Sequence, residues 1–215
     1  MKIAIDGPAG SGKSTIAKEV SKRLNLPYLN TGLIYRAFAY VCMVEGLKEG
    51  EVFKVFEMPV EVRLDVARTV VVYKGEDISH KLGSEDVGKW ASQIASLPGF
   101  REKINQFFRS LVGNGQVVAE GRDAGSHIFP EADLKVFLTA SPEERARRRY
   151  IQLKEEGIEV SFEEVLKAII ERDERDKNRP LYPFRPAEDA IIIDTTGLSP
   201  EEVVEKILSL VEEKV

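Results

Sequence analysis

The chain is poor in the residues that build disulfide frameworks and soft-metal sites. Cys42 is the only cysteine among 215 residues, and His80 and His127 are the only histidines. One thiol excludes an intrachain disulfide, and one cysteine with two distant histidines leaves no zinc-ligand spacing. Cys42 follows the apolar run Phe38-Ala39-Tyr40-Val41 and reads as a buried core residue. No apolar run approaches the about 20 residues that a membrane span needs. A basic excess is missing too: 31 Lys and Arg face 36 Asp and Glu, for a formal net charge of −5. Wholesale binding of nucleic acid or of an anionic membrane favours the opposite balance, so any anion site must be a local basic cluster. Repeats, low-complexity tracts and linkers are absent. The length suits one α/β domain with a subdomain or two. The residues after Met1 read as a strand, not as a leader, and the reducing cytoplasm is the expected compartment.

What is present begins at once. Gly7-Pro8-Ala9-Gly10-Ser11-Gly12-Lys13-Ser14 spells G-x-x-x-x-G-K-[ST], the phosphate-cradling P-loop. Lys2-Ile3-Ala4-Ile5-Asp6 before it reads as a short buried strand, and Ile16, Ala17, Val20 and Leu24 after it recur at helical spacing. Glycines let backbone N–H groups turn toward a phosphate, and the helix N-terminus adds partial positive charge. Gly7 to Thr15 are therefore the expected triphosphate-binding stretch. Lys13 would reach the outer phosphates, and Ser14 would ligate Mg²⁺. No apolar run followed by an aspartate stands out as a second Mg²⁺ carboxylate. Asp6 ends its strand as a candidate cap for backbone groups.

Five short apolar runs read as buried parallel strands: Ile3–Ile5, Tyr28–Leu29, Val117–Ala119, Leu134–Leu138 and Ile191–Ile193. Helical patterns lie between most of them, which predicts a parallel α/β sheet. Open sheets of this kind bind ligands at the carboxyl ends of their strands. Ser141, Ser161 and Ser199 each start a capping-box pattern. From about Glu45 to Gln93 the rhythm breaks. Val60–Leu64 and Thr69–Tyr73 alternate, Lys74-Gly75-Glu76-Asp77 reads as a turn, and the segment is expected to be a small antiparallel insertion with helical flanks.

Arginines are gathered in a few places despite the acidic balance. Arg36 follows Thr31-Gly32-Leu33-Ile34-Tyr35, Arg122 and Asp123 follow the third strand, and Arg145, Arg147, Arg148 and Arg149 share one expected helix. Arg172, Asp176 and Arg179 stand at i, i+4 and i+7, one face of a helix if it continues that far. Guanidinium groups hold phosphate oxygens bidentately and stay charged at any working pH, which is what phosphoryl transfer needs around the moving group. The alternative for the 145–149 run is a solvated face with ion pairs such as Glu144/Arg148. Asp123 and Asp176 are candidate anchors for a base or a ribose.

Taken together, these segments closely resemble the bacterial cytidylate kinases over essentially the whole length. The resemblance is carried by the P-loop, Thr31 to Arg36, Ala91-Ser92-Gln93 with Arg101 beyond, Glu120-Gly121-Arg122-Asp123, Ser141-Pro142-Glu143-Glu144-Arg145, Glu171 to Arg179, and Ile193-Asp194-Thr195. It implies a three-layer P-loop NTPase fold with a five-stranded parallel sheet, an acceptor-binding insertion (45–93) and a helical lid (145–179) on a core of residues 1–44, 94–144 and 180–215. It implies transfer of phosphate from ATP, with Mg²⁺, to CMP or dCMP by a monomer without nucleic-acid or membrane partners. By position, Lys13, Arg122, Arg145, Arg149 and Arg172 would serve catalysis. Thr31, Tyr35 and Arg36 would border the acceptor phosphate. Ser92, Arg101 and Asp123 would read cytosine, Arg122, Arg172 and Arg179 would hold phosphate oxygens, and Asp176 the ribose hydroxyls. Asn30 departs from the aspartate usual before the Thr-Gly turn. The rival readings are a P-loop kinase for another small anionic acceptor, a nucleotide-gated switch, and RNA binding by the 145–149 arginines. The switch lacks an Asn-Lys-x-Asp guanine reader, and RNA binding conflicts with the charge balance.

Overall fold

Five runs of the chain, apolar and too short for helices, lie side by side as one parallel sheet. They are β1 (Lys2–Asp6), β2 (Tyr28–Asn30), β6 (Val117–Gly121), β7 (Leu134–Thr139) and β8 (Ile191–Asp194). Their order is β2-β6-β1-β7-β8, every pair parallel. The computed structural model describes residues 1–214. The inner strands are covered on both faces, which is why they are continuous apolar runs and do not alternate. One face packs Ile3, Ile5, Val136 and Leu138 against α1 (Lys13–Leu24) and α7 (Pro200–Glu212). The other packs Ala4, Leu29 and Ala119 against α2 (Thr31–Val44), α3 (Glu85–Ser96) and α4 (Phe100–Val112). The layers are helix, sheet, helix, and Cys42 is fully buried in the second of these cores. No helix among the described residues is long and apolar enough to cross a membrane.

Between α2 and α3 the chain builds a separate antiparallel sheet of β3 (Val60–Asp65), β4 (Arg68–Tyr73) and β5 (Glu76–Asp77). The expected four-residue turn is shorter than its sequence suggests. Only Lys74 and Gly75 turn, at φ 50° and 79°, the left-handed pair of a two-residue hairpin. Glu76 and Asp77 then pair with Tyr73 and Val72 as a third strand. This insertion is bolted to the core by aromatic rings. Phe100, at the start of α4, lies 5.7 Å from Phe53, 5.0 Å from Phe56 and 6.3 Å from Tyr35, centroid to centroid.

Two further helices, α5 (Pro142–Glu155) and α6 (Phe162–Lys177), form a hairpin beside the P-loop. Their shared core has Ala146, Val165 and Ile169 buried, with Tyr150, Leu153, Val160, Phe162 and Leu166 half-buried around them. Ser161 and Ser199 form complete capping boxes at the starts of α6 and α7. Ser141 caps α5 through Glu144 N at 3.2 Å, but the Glu144 carboxylate is drawn away by Arg147 and Arg148 and does not return to the cap.

Phe100→Ala is expected to cost about 3–5 kcal/mol in denaturant unfolding, as a fully buried ring that several others touch. Ile192→Ala, at a side chain 60% exposed, should change stability by less than about 0.5 kcal/mol. Similar losses from both would mean that the aromatic bolt carries no particular weight.

Candidate active site

The turn from β1 into α1 is shaped by what its glycines avoid. A Cβ on Gly7 would lie 2.5 Å from the Leu138 carbonyl oxygen, so only glycine lets the loop pass β7. Gly12 caps α1 at φ 83°, with open space where its Cβ would be. A cleft of about 760 Å³ opens above this loop, and Ala9, Gly10, Ser11, Gly12, Lys13, Ser14 and Thr15 all line it. Gly7 and Pro8 lie beneath, and the Pro8 carbonyl accepts from Lys13 Nζ at 3.4 Å. Burial pushes the Lys13 ammonium down to about 8, helped by Arg122 and Arg172 and opposed by Glu120.

Under Lys13 runs a chain of oxygen contacts. Ser14 Oγ donates to Glu120 Oε2 at 2.9 Å, and the Tyr28 hydroxyl donates to Glu120 Oε1. Thr31 Oγ1 donates to the Glu120 carbonyl at 2.8 Å. Glu120 is the carboxylate that sequence reasoning missed. Glu120 directly follows the apolar run Val117-Val118-Ala119, a strand-end carboxylate in the form of a glutamate and not an aspartate. Asp6 takes the capping role open to it, accepting from Ala124 N at 2.9 Å and Gly125 N at 2.8 Å. Burial raises its carboxyl to about 7 against those two donors, and Asp123 adds to the rise. Asp6 thereby fixes the wide turn Ala124–Ile128 and, just before it, Arg122 and Asp123.

Arginines surround this floor. Arg36, Arg149 and Arg172 line the same cleft as the P-loop. Arg36 is anchored by donation to the Leu82 and Ser84 carbonyls at 3.0 and 3.3 Å. Burial works against the charge of Arg172, as do Arg36, Arg175, Arg179 and Arg149. Arg122 is pushed well below its ordinary range, by burial first and then by Arg172, Arg179 and Arg101. Two carboxylates answer them. Asp176, buried on α6, pairs with both Arg122 and Arg179. Asp123 pairs with Arg101 at 2.9 Å, both side chains about nine-tenths buried, and the Arg101 guanidinium lies 5.6 Å above the Tyr35 ring. The Tyr35 hydroxyl is buried with no hydrogen-bond partner among the described residues.

Three expected residues sit differently. Arg145 is not free to hold a phosphate: it is buried and donates to the Ala140 and Ala9 carbonyls at 3.0 and 3.3 Å and bidentately to Asp173 at 3.0 and 2.6 Å. It clamps α5 to the P-loop and to α6, and Arg147, Arg148 and Arg149 are the arginines of that run that line the cleft. Arg179 lies beyond the end of α6, so it shares no helix face with Asp176 and reaches it from the chain that follows. Ser92 stands exposed on α3. Arg148 makes the expected pair with Glu144 and also donates to Thr195 Oγ1 and O at 3.0 and 2.9 Å.

A sequence model of the family described as cytidylate kinase matches residues 3–213. The chain belongs to the cytidylate kinase family. A cytidylate kinase of Aquifex aeolicus (strain VF5) is 57% identical over 215 residues, covering 100% of this chain and 97% of that protein. One of Caldicellulosiruptor saccharolyticus is 41% identical over 214 residues, 98% of this chain and 95% of its own. A solved shikimate kinase from Bacteroides thetaiotaomicron superposes with a TM-score of 0.50 over 99% of this chain and 98% of its own, at 18% identity, a likeness of fold alone. In this member of the cytidylate kinase family Asn30 uses its Oδ1 to cap α2, accepting from Leu33 N at 2.9 Å. Glu120 is then the carboxylate in contact with Ser14.

A triphosphate held by the depressed Lys13 would bind with a pH linkage. Burial already holds the Lys13 amine well below its ordinary pKa, and an anionic phosphate raises it on binding. ATP binding at pH 8 should therefore take up protons, seen as buffer-dependent heat in calorimetry, with the uptake fading by pH 6. Buffer-independent heat at pH 8 would contradict the buried, depressed lysine.

Proposed function

We infer that this chain transfers the γ-phosphoryl group of ATP to CMP or dCMP, giving ADP and CDP or dCDP. The observation that carries the reading is a juxtaposition. The P-loop opens on the same cleft as Arg36, Arg149 and Arg172, and the charges of those arginines run on through Arg122 and Arg179 to the buried Arg101–Asp123 pair. One side suits a triphosphate, and the other suits a second phosphate with a polar base edge beyond it.

Lys13 and the backbone N–H groups at the start of α1 hold the outer phosphates of ATP. Arg122, Arg149 and Arg172 surround the moving phosphoryl group, and Arg36, with Thr31 and Tyr35, holds the acceptor phosphate. Its attacking oxygen is already anionic, so the step needs positioning and charge neutralisation more than a general base. Asp123 and Ser92 accept from the exocyclic amine of cytosine, and Arg101 donates to its N3 and O2; uracil reverses two of those positions. Asp176 takes the ribose hydroxyls while Arg179 turns to phosphate. Arg145 positions the loop and lid without touching substrate. Mg²⁺ fits the hard oxygens of Ser14 and Glu120, and when bound it neutralises charge on the β- and γ-phosphates. Residues 45–93 are the acceptor-binding insertion and 145–179 the lid, whose closure excludes water from the transfer. The working form is a cytoplasmic monomer.

A coupled assay of ADP release with ATP–Mg²⁺ and CMP, dCMP, UMP, AMP, GMP or shikimate tests this directly. CMP and dCMP should turn over far faster than the rest; a different leading acceptor would contradict the reading. Asp123→Ala should narrow the CMP-over-UMP preference by about ten-fold or more, the range of a lost base-edge contact. An unchanged ratio would remove Asp123 from the base site.

A further inference from the structure

The strap that leads from α6 back to β8 is fastened at the acceptor end of the cleft. Phe184 N–H donates to the Asp176 carbonyl at 3.0 Å, and the Phe184 ring packs 5.4 Å from Phe137 and 5.7 Å from the Arg122 guanidinium. Two residues earlier, Tyr182 meets the His127 ring edge-on at 4.7 Å, and its hydroxyl donates to Glu102 Oε1 at 3.4 Å. Glu102 adjoins Arg101, and His127 lies in the wide turn that follows Asp123. Tyr182 is thus moored to the residue next to Arg101 and to the turn that starts after Asp123. Its phenol is raised by burial and Glu102, lowered by Arg101 and raised by Asp123. The Tyr35 phenol is raised by burial and feels Arg101, Asp123, Arg179 and Tyr182 in turn. The buried Tyr35 hydroxyl, whose ring lies 5.6 Å from the Arg101 guanidinium, has no hydrogen-bond partner among the described residues.

The backbone points the same way. Tyr182 stands at φ 56°, a left-handed conformation that bulky aromatic residues rarely adopt. Asn25, Ala67 and Lys74 share that sign of φ, but Asn25 caps α1 and the other two turn hairpins. Tyr182 has neither reason, and such strain persists where the surroundings hold a side chain in a place of use.

We propose that Tyr182 is a specificity-determining residue of the acceptor site, its ring forming the cover over the pyrimidine base. This rests on the reading of Arg101 and Asp123 as the base site. A tyrosine ring offers a rigid apolar surface to a flat base at low entropic cost. Because the strap continues α6, the base cover is covalently joined to the helix that carries Arg172 and Asp176.

Tyr182→Gly and Tyr182→Asn remove the ring while keeping a backbone at ease with positive φ. Both should raise KM and Kd for CMP by about five-fold, the size of one aromatic contact, and leave KM for ATP and the Kd of ribose 5-phosphate unchanged. Tyr182→Phe should recover most of the loss. Equal losses for CMP and ribose 5-phosphate, or no loss for CMP, would overturn the proposal. Asp123→Asn measured alongside separates the two claims. If it erases the CMP-over-UMP preference while the Tyr182 variants bind CMP normally, the cover fails and the base reader stands. If it leaves the preference intact while the Tyr182 variants lose CMP selectively, the cover stands and the reader fails.

Discussion

Six guanidinium groups, those of Arg36, Arg101, Arg122, Arg149, Arg172 and Arg179, crowd one edge of a parallel sheet, and among the described residues only Asp123 and Asp176 form ion pairs with members of the set. An arginine cannot relieve such crowding by losing its proton, and partial burial strengthens the repulsion. The ammonium of Lys13 can; burial lowers its pKa first, and Arg122 and Arg172 add to that against Glu120. A chain with a net charge of −5 has therefore concentrated positive charge where its own carboxylates are too few. Anions supplied from outside complete the arrangement, and two bound phosphate groups are the chemistry that fits it.

The rest of the fold holds these charges in place against their repulsion. The sheet sets the ends of β1, β2 and β6 side by side, which puts the P-loop, Thr31 and the Glu120–Asp123 segment within reach of one another. Asp6 ties β1 to the turn after Asp123, and the rings around Phe100 tie the insertion to α4, which begins beside Arg101. The α5–α6 hairpin has a small fully buried core, and polar ties such as the Arg145–Asp173 clamp and the ion pairs of Asp176 add to its hold on the rest of the fold. That construction suits the lid role proposed for it.

The core was legible in the sequence because its strands are apolar runs too short to be helices, separated by helical periodicity, and because the P-loop carries its meaning in the residues themselves. The arginines were legible as a group but not one by one. Arg145 and Arg149 lie one turn apart, and only the placement of Asp173 decides that the first is consumed as a clamp. Glu120 was hidden by being a glutamate, and the strand at Glu76 and Asp77 by being polar, since a hairpin turn, not side-chain pattern, brings it into register. Tyr182 has no periodicity around it; its place shows only when Glu102 and His127, distant in sequence, meet it. The identity of the acceptor is carried by family membership more than by geometry.

The most direct measurement is the unfolding midpoint in equal concentrations of CMP and cytidine. If the crowded arginines await phosphate, CMP raises the midpoint with concentration by mass action, while cytidine leaves it close to the ligand-free value. Equal shifts from both would show that the base carries binding without the phosphate, and would contradict the account.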